Sequence, residues 1–183
     1  MKKTPLFLLL ILFAMSAFAQ KAQEYIKPEL PMDEDNKLVT YKEVVQVEGT
    51  AQDLYDRALA WVKTEYVNTN EVIKSSDRDA GLLELRSSVK IHSRDKTGKP
   101  FFKNIVYYRF KIECRDGRYR YVITDFNEKA TAAAPIEVWF NSDGPKWEPI
   151  QFEYLKQIDA QINELISSLK KGMEPTVEKV DEW

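Results

Sequence analysis

Apolar and polar residues alternate along four stretches of this sequence, a fifth stretch is short and apolar at Val72-Ile73, and two others follow a helical period. Alternation indicates a strand with one buried face, whereas apolar residues three or four positions apart indicate an amphipathic helix. The predicted strands cover residues 38–47, 70–75, 82–93, 101–115 and 118–126, and the predicted helices cover 51–66 and 150–171. We therefore predict an α+β fold, an antiparallel sheet of about five strands with two helices on one face, in the order β-α-β-β-β-β-α.

Both predicted helices carry recognisable end signals. Thr50 is a good N-cap, and Asp53 stands three residues later, close to a capping box. The sequence Lys170-Lys171-Gly172 is typical of a helix C-terminus. The start of the first helix and the end of the second are therefore indicated independently of the apolar period.

The pair Asp116-Gly117 predicts a tight hairpin between the last two strands. It is a favoured two-residue sequence for a type I′ turn, and such a turn fixes which residues lie opposite one another. The core face then pairs Cys114 with Tyr119, Ile112 with Tyr121 and Phe110 with Ile123. A shift of one residue would bury the charged positions, so the pattern itself supports this register.

The same register makes predictions for the far end of the hairpin. It places Asp125 on the core face opposite Tyr108, and it places Phe126 on the solvent face opposite Tyr107. A carboxylate on the core face needs a hydrogen-bonding partner. The simplest expectation is that Asp125 bonds Tyr108 or a loop amide at the margin of the sheet.

The first 19 residues have the order of a cleavable signal peptide. Lys2 and Lys3 precede an apolar run, and Ala17-Phe18-Ala19 supplies small residues for cleavage. The run is shorter than the roughly 20 residues that span a bilayer. We therefore predict cleavage near Ala19, no transmembrane anchor afterwards, and a soluble periplasmic or secreted protein. No cysteine follows the site to accept a lipid.

The remainder divides into three predicted parts. Residues 20–36 contain two prolines and an acidic run and form an N-terminal leader. Residues 37–172 hold all the periodic segments and form a single domain. Residues 173–183 are charged and form a loose C-terminal tail.

Charge and rare residues exclude several function classes. The chain has 27 basic and 29 acidic residues, a net charge of −2, and loss of two lysines with the signal peptide would make it more acidic. A nucleic-acid partner is therefore not expected. Cys114 and His92 are the single cysteine and the single histidine, so neither a zinc site nor a Cys-His pair is predicted, and no cofactor motif is present.

The solvent face of the sheet is the main candidate binding site. Basic and aromatic residues alternate outward there, and arginines with an aromatic platform suit an anionic or sugar-like ligand. The predicted ligand-binding residues are Arg86, Lys90, Tyr107, Arg109, Lys111, Arg120 and Phe126. The alternative is an ordinary solvated face, because open antiparallel sheets are polar outside.

Three other functional hypotheses stay open. Trp139, Phe140 and Trp147 could dock a partner, or they could cap the end of the core. A hydrolase could use carboxylates in a cleft near Asp125. The protein could also be a structural subunit of an envelope assembly. With no catalytic motif, we expect a non-enzymatic binding or interaction module of the cell envelope.

Several segments resemble a known family. They are Leu30-Pro31, Tyr41-Lys42-Glu43-Val44-Val45 and Leu54-Tyr55-Asp56-Arg57-Ala58 with Trp61. In these the chain resembles the secreted Bacteroidota family called domain of unknown function 4468. The resemblance implies a fold similar to TATA-binding protein, which agrees with the order of elements above. It implies no activity or ligand, and a shared fold does not imply DNA binding.

Overall fold

The computed structural model of the protein describes residues 25–175. The predicted signal peptide, residues 1–19, lies outside them, as do residues 20–24 of the leader and 176–183 of the tail. The strands are β1 (Tyr41–Gln46), β2 (Ile73–Asp77), β3 (Leu82–Arg94), β4 (Pro100–Arg115) and β5 (Arg118–Glu128). The helices are α1 (Ala51–Glu65), a short α2 (Thr69–Val72), a 3-10 helix (Ile136–Phe140) and α3 (Gln151–Gly172).

The five strands form one antiparallel sheet in the order β1-β5-β4-β3-β2. Helices α1 and α3 cover one face of it. Trp61 of α1 packs edge-on against Phe110 of β4, with ring centroids 5.8 Å apart, and the same indole donates to Ser168 of α3. The predicted α+β class and the order of the main elements are confirmed. The opposite face of the sheet is left to solvent and is called the outer face below.

The start of α1 is fixed by its cap and by the β4–β5 hairpin. Thr50 Oγ1 accepts from Asp53 N at 3.2 Å and Asp53 Oδ2 accepts from Thr50 N at 3.1 Å, so the capping box is complete. The hairpin contributes as well, since Asp116 Oδ1 accepts from Ala51 N at 2.8 Å. The turn and the helix therefore stabilise each other.

The predicted hairpin register is confirmed near the turn, from Arg115 opposite Arg118 to Arg109 opposite Thr124. The predicted turn type is wrong. A type I′ turn needs positive φ at both central residues, but of these two only Gly117 has it, at 73°. That sign pattern is the one of a type II turn. The bond from Gly117 N to Gly49 O, at 2.9 Å, ties this turn to the start of α1.

A β-bulge changes the register at the far end of the hairpin. Tyr107 lies opposite Asn127, so Asp125 and Phe126 together oppose one residue of β4. Asp125 has a φ of +60°, a left-handed conformation that aspartate tolerates better than most residues. The prediction that Phe126 lies on the solvent face is therefore wrong. Its ring is fully buried.

Two residues outside the predicted domain bounds, Leu30 and Met173, pack into the core. In the leader, Leu30 is buried, and Pro31 O accepts from Thr40 N at 2.9 Å. In the predicted tail, Met173 is fully buried, and its carbonyl accepts from Arg57 of α1 at 3.3 Å. Leu30 and Met173 are isolated apolar residues outside any strand or helix pattern, so the sequence did not indicate that they are buried.

Candidate functional site

The outer face combines many basic side chains with few acidic ones. It is formed by alternate residues of β3, β4 and β5, which the register aligns across the sheet. Its basic residues are Arg86, Lys90, Arg109, Lys111, Arg115, Arg118 and Arg120. Its carboxylates are Glu84, Glu113 and Asp125. An acidic chain thus presents one face with a basic excess.

Two carboxylates neutralise part of that excess. Arg109 Nε lies 2.8 Å from Asp125 Oδ2. Glu113 pairs with Lys111 at 3.2 Å and with Arg120 on the other side. Partial burial raises the pKa of Glu113, but hydrogen bonds from Arg120 and Lys111 outweigh that effect and bring the pKa below its usual value. Glu113 therefore stays ionised and orders both cations.

Arg86 is held by an aromatic ring instead of a carboxylate. Its guanidinium carbon lies 5.4 Å from the centroid of the Tyr107 ring, within the range of a cation–π contact. Arg86 also lies directly opposite Arg109 in the β3–β4 pairing. Two arginines thus occupy opposite positions on β3 and β4, one oriented by the Tyr107 ring and the other by Asp125.

The middle of the outer face is concave. A shallow pocket of about 350 Å³ opens there between β2, β3, β4 and β5. Val122 and Thr124 of β5 lie among its lining residues. The charged side chains that line it are Lys74, Glu84, Arg86, Arg109, Lys111, Glu113 and Arg120. Four predicted ligand-binding residues are therefore brought together around one depression.

The remaining predicted face residues are placed differently. Tyr107 borders the depression through its contact with Arg86. Lys90 lies further along β3, where its carbonyl accepts from Gln161 of α3 at 3.0 Å. Phe126 is absent from the face, because the bulge turns its ring into the core against Tyr41 and Tyr108.

Asp125 does not occupy the predicted core position. Its side chain is 39% exposed and bonded to Arg109 and to Asn127 Nδ2. Tyr108, the partner expected for it, instead shares a 3.3 Å hydrogen bond with Tyr66. Asp125 is thus a partly exposed, ion-paired carboxylate on the outer face and not a buried acid.

Other chemistry is not assembled in the described part of the chain. Burial raises the pKa of the Cys114 thiol to about 12, so little thiolate forms at neutral pH. His92 lies near the far end of β3, edge-on to Phe102. Within residues 25–175, no three His, Cys, Asp or Glu side chains cluster in a way that could hold a metal ion.

The aromatic segment before α3 packs inward. Trp139 is 4% exposed and contacts Tyr154 edge-on. Trp147 donates its indole N–H to the Trp139 carbonyl at 2.8 Å and packs on Phe152. Phe140 is partly buried beneath Lys27. These contacts support the interpretation that the segment caps the core.

One polar cluster was indicated by the sequence but not recognised as such. Glu43 interrupts the apolar face of β1, and its carboxylate accepts from Tyr121 OH at 2.8 Å and pairs with Lys170 of α3 at 2.7 Å. The hydrogen bond from Lys170 lowers the pKa of Glu43 most, and the hydrogen bond from Tyr121 lowers it further. The cluster ties β1 to α3, which accounts for a charged residue in that position.

An antiparallel sheet of five strands with two helices on one face, in this order, defines an α+β domain with a TBP-like fold. Residues 41–129 match the family described as "Domain of unknown function (DUF4468) with TBP-like fold". The resemblance to this family that the sequence indicates is therefore confirmed over these residues.

Two solved structures share the fold. One is a TBP-like protein from Parabacteroides distasonis, 17% identical with a TM-score of 0.62, in a match that covers 78% of this chain and 96% of that one. The other is a DUF4468 family protein from Bacteroides ovatus, 16% identical with a TM-score of 0.62, covering 85% and 96%. None of the curated proteins compared with the chain matches it. Among residues 25–175, no helix has the length and apolarity needed to cross a membrane.

Proposed function

We propose that this protein is an exported, non-enzymatic binding module of the cell envelope, and that its outer face takes an anionic or glycan ligand. The observation that carries the proposal is a basic excess on one sheet face of an acidic chain. Within residues 25–175, four of the basic side chains on that face form no ion pair. They are Arg86, Lys90, Arg115 and Arg118.

The geometry suits recognition of sulfate, phosphate or carboxylate groups. Arginine offers parallel N–H donors to such groups and keeps its charge at any physiological pH. Arg86 and Arg109 stand opposite each other and border the same depression. Because Tyr107 and Asp125 already orient these two side chains, less side-chain entropy is lost when a ligand binds.

The location in the envelope rests on the predicted signal peptide, and the absence of a nucleic-acid partner rests on the acidic chain. The hydrolase alternative gains no support from Asp125, which is exposed and ion-paired. An open depression lined by cations is more typical of a ligand-binding site than of an active site. In an active site, polar groups converge in an enclosed pocket.

Charge reversal on β3 tests the proposal. Binding of a sulfated heparin octasaccharide and of phosphatidylglycerol vesicles would be measured for the wild type and for Arg86→Glu/Lys90→Glu. Neither Arg86 nor Lys90 forms an ion pair within the described residues, so the double substitution breaks no ion pair there. We expect binding of at least one probe to weaken by about tenfold or more, equivalent to about 1.4 kcal/mol, and to weaken further with salt.

A matched control carries the same charge change elsewhere. Lys63 of α1 and Lys99 of the loop between β3 and β4 are exposed and do not line the depression, and Lys63→Glu/Lys99→Glu should leave binding within about twofold of the wild type. Equal losses in the two variants would show that only net charge matters. No binding of either probe by the wild type would overturn the proposal. The two probes distinguish a glycan from a lipid headgroup.

A further inference from the structure

Strand β1 has one unpaired edge. It is the first strand of the sheet, and it pairs only with β5. The N–H of Val47 points toward β5 and bonds Gly117 O at 3.0 Å, whereas the N–H of Thr40 points away from the sheet and bonds Pro31 O at 2.9 Å. Since backbone groups of alternate residues point to the same side, the even-numbered residues face outward.

After Thr40, the outward-facing backbone groups of β1 have no hydrogen-bonding partner in residues 25–175. No backbone or side-chain hydrogen bond in that part of the chain reaches the outward amide and carbonyl groups. The residues concerned are Lys42, Val44 and Gln46. An exposed edge of this kind is a template for another extended segment.

At the opposite side of the sheet, some backbone groups of β3 are hydrogen-bonded by side chains of α3. Where β3 extends past its pairing with β2, side chains of α3 satisfy its backbone. Gln157 accepts from His92 N at 2.8 Å and donates to His92 O at 2.9 Å, which reproduces the bonds of a neighbouring strand. Gln161 does the same for the carbonyl of Lys90. The part of β3 that extends past β2 is thus covered by amide side chains, whereas β1 has no such cover within residues 25–175.

The chemistry beside the open edge is basic and apolar. Val44 is 51% exposed on the outer face. Arg120 lies directly opposite Val44, and Arg118 lies directly opposite Gln46. A recess of about 200 Å³ is lined there by Val44, Glu113, Arg115, Arg118, Tyr119 and Arg120. Within the described residues Arg115 and Arg118 form no ion pair, and of the two only Arg118 lies on β5, the strand next to β1.

We infer that β1 binds an extended acidic segment of a partner protein as a sixth strand of the sheet. Adjacent strands lie about 4.8 Å apart, so long arginine side chains of β5 can reach past β1 to the added strand. Backbone bonds to the open edge would supply affinity, and an acidic side chain on the outer face of the added strand would bond Arg118. The recess beside β1 adjoins the depression at Arg86, since Glu113 and Arg120 line both, but neither Val44 nor Arg118 lines the depression.

Charge distinguishes this occupant from a second copy of the chain. Antiparallel pairing of two β1 strands about Val44 would set Arg118 of each copy near Lys42 of the other. Lys42 is already paired with Asp33 at 2.7 Å, so such pairing would give Arg118 no acidic partner. An acidic strand places opposite charges in the same positions.

Peptide binding tests the inference. The probe is a fluorescent peptide of alternating glutamate and valine, and its control is the same peptide with lysine for glutamate. We expect Val44→Pro, which removes an outward N–H at a position where an edge strand tolerates proline, to weaken binding by about tenfold or more. The matched variant Val44→Thr keeps the N–H and should bind within about twofold of wild type. Arg118→Glu should also weaken binding of the glutamate peptide by about tenfold.

Amide hydrogen exchange keeps the test decisive if Val44→Pro fails to fold. In the wild-type protein, saturating peptide should protect the amides of Lys42, Val44 and Gln46. Absence of that protection, or binding of the lysine peptide as tight as that of the glutamate peptide, would overturn the inference. A dimer that Val44→Pro disperses would assign the edge to a second copy, and tighter peptide binding after deletion of residues 176–183 would assign it to the chain itself. Both results would overturn the partner assignment.

The same peptide separates the two proposals. Arg86→Glu/Lys90→Glu should bind it within about twofold of wild type, because neither residue lines the recess beside β1. Loss of the heparin or vesicle interaction in that variant, with peptide binding retained, would support both proposals independently.

Discussion

Replacing Phe126 by alanine is expected to lower the free energy of unfolding by about 4 kcal/mol. The ring is completely buried, and its centroid lies 6.0 Å from that of Tyr41 and 5.9 Å from that of Tyr108. Removing it would leave a cavity between β1, β4 and β5 that surrounding side chains cannot fill. Urea denaturation followed by circular dichroism would measure the loss.

Tyr107→Ala is the matched control for this experiment. Tyr107 lies on the outer face against Arg86, so its removal should cost no more than about 1 kcal/mol. Without the bulge at Asp125, Phe126 would lie outward opposite Tyr107 and its loss would be as mild. Similar small losses in both variants would therefore contradict the bulged register.

Gly81→Ala is expected to destabilise the domain by about 3 kcal/mol, because two costs combine there. Gly81 has a φ of +64°, which is strained for any residue with a Cβ. A Cβ at this position would also lie 2.5 Å from the carbonyl oxygen of Cys114. The backbone cannot move away easily, since Gly81 O accepts from Cys114 N at 2.8 Å.

Gly98→Ala isolates the first of these costs. Its φ is +84°, and no atom lies within 4 Å of the added Cβ. The expected loss is therefore only the conformational one, about 1 kcal/mol. If thermal or urea denaturation shows equal losses for Gly81→Ala and Gly98→Ala, the close approach of the β2–β3 turn to β4 is wrong.

The features predicted correctly from the sequence are those determined by neighbouring residues. Thr50 and Asp53 form their capping box within a single helical turn. The hairpin register near Asp116-Gly117 follows from a two-residue turn and from the alternation on either side. In both cases the residues that decide the structure are adjacent in sequence, so local rules are sufficient.

The far end of the same hairpin could not be predicted in this way. Plain alternation continues through Asp125 and Phe126, and a bulge there depends on contacts from β1 and β4 that only the folded sheet supplies. The tolerance of aspartate for positive φ was the one local hint. The prediction of the turn type was wrong for a related reason. Backbone groups at the start of α1 bond both Asp116 and Gly117, and these contacts are not local to the turn.

The candidate site follows the same division. Alternation along β3 and β4 correctly indicated that Arg86, Arg109 and Lys111 share the outer face. It could not indicate which cations are neutralised, because Asp125 reaches Arg109 only through the bulge. The open edge of β1 also escaped sequence analysis, since the order of strands in a sheet is a property of the whole chain.

We propose the outer face of the sheet as the binding surface of this protein. The most direct test is to titrate the isotopically labelled protein with the sulfated heparin octasaccharide and map amide and side-chain chemical shifts. The largest changes should fall on Arg86, Tyr107, Arg109 and Lys111, around the depression between β3, β4 and β5. Changes confined to α1 and α3, or no changes at saturating ligand, would contradict the claim.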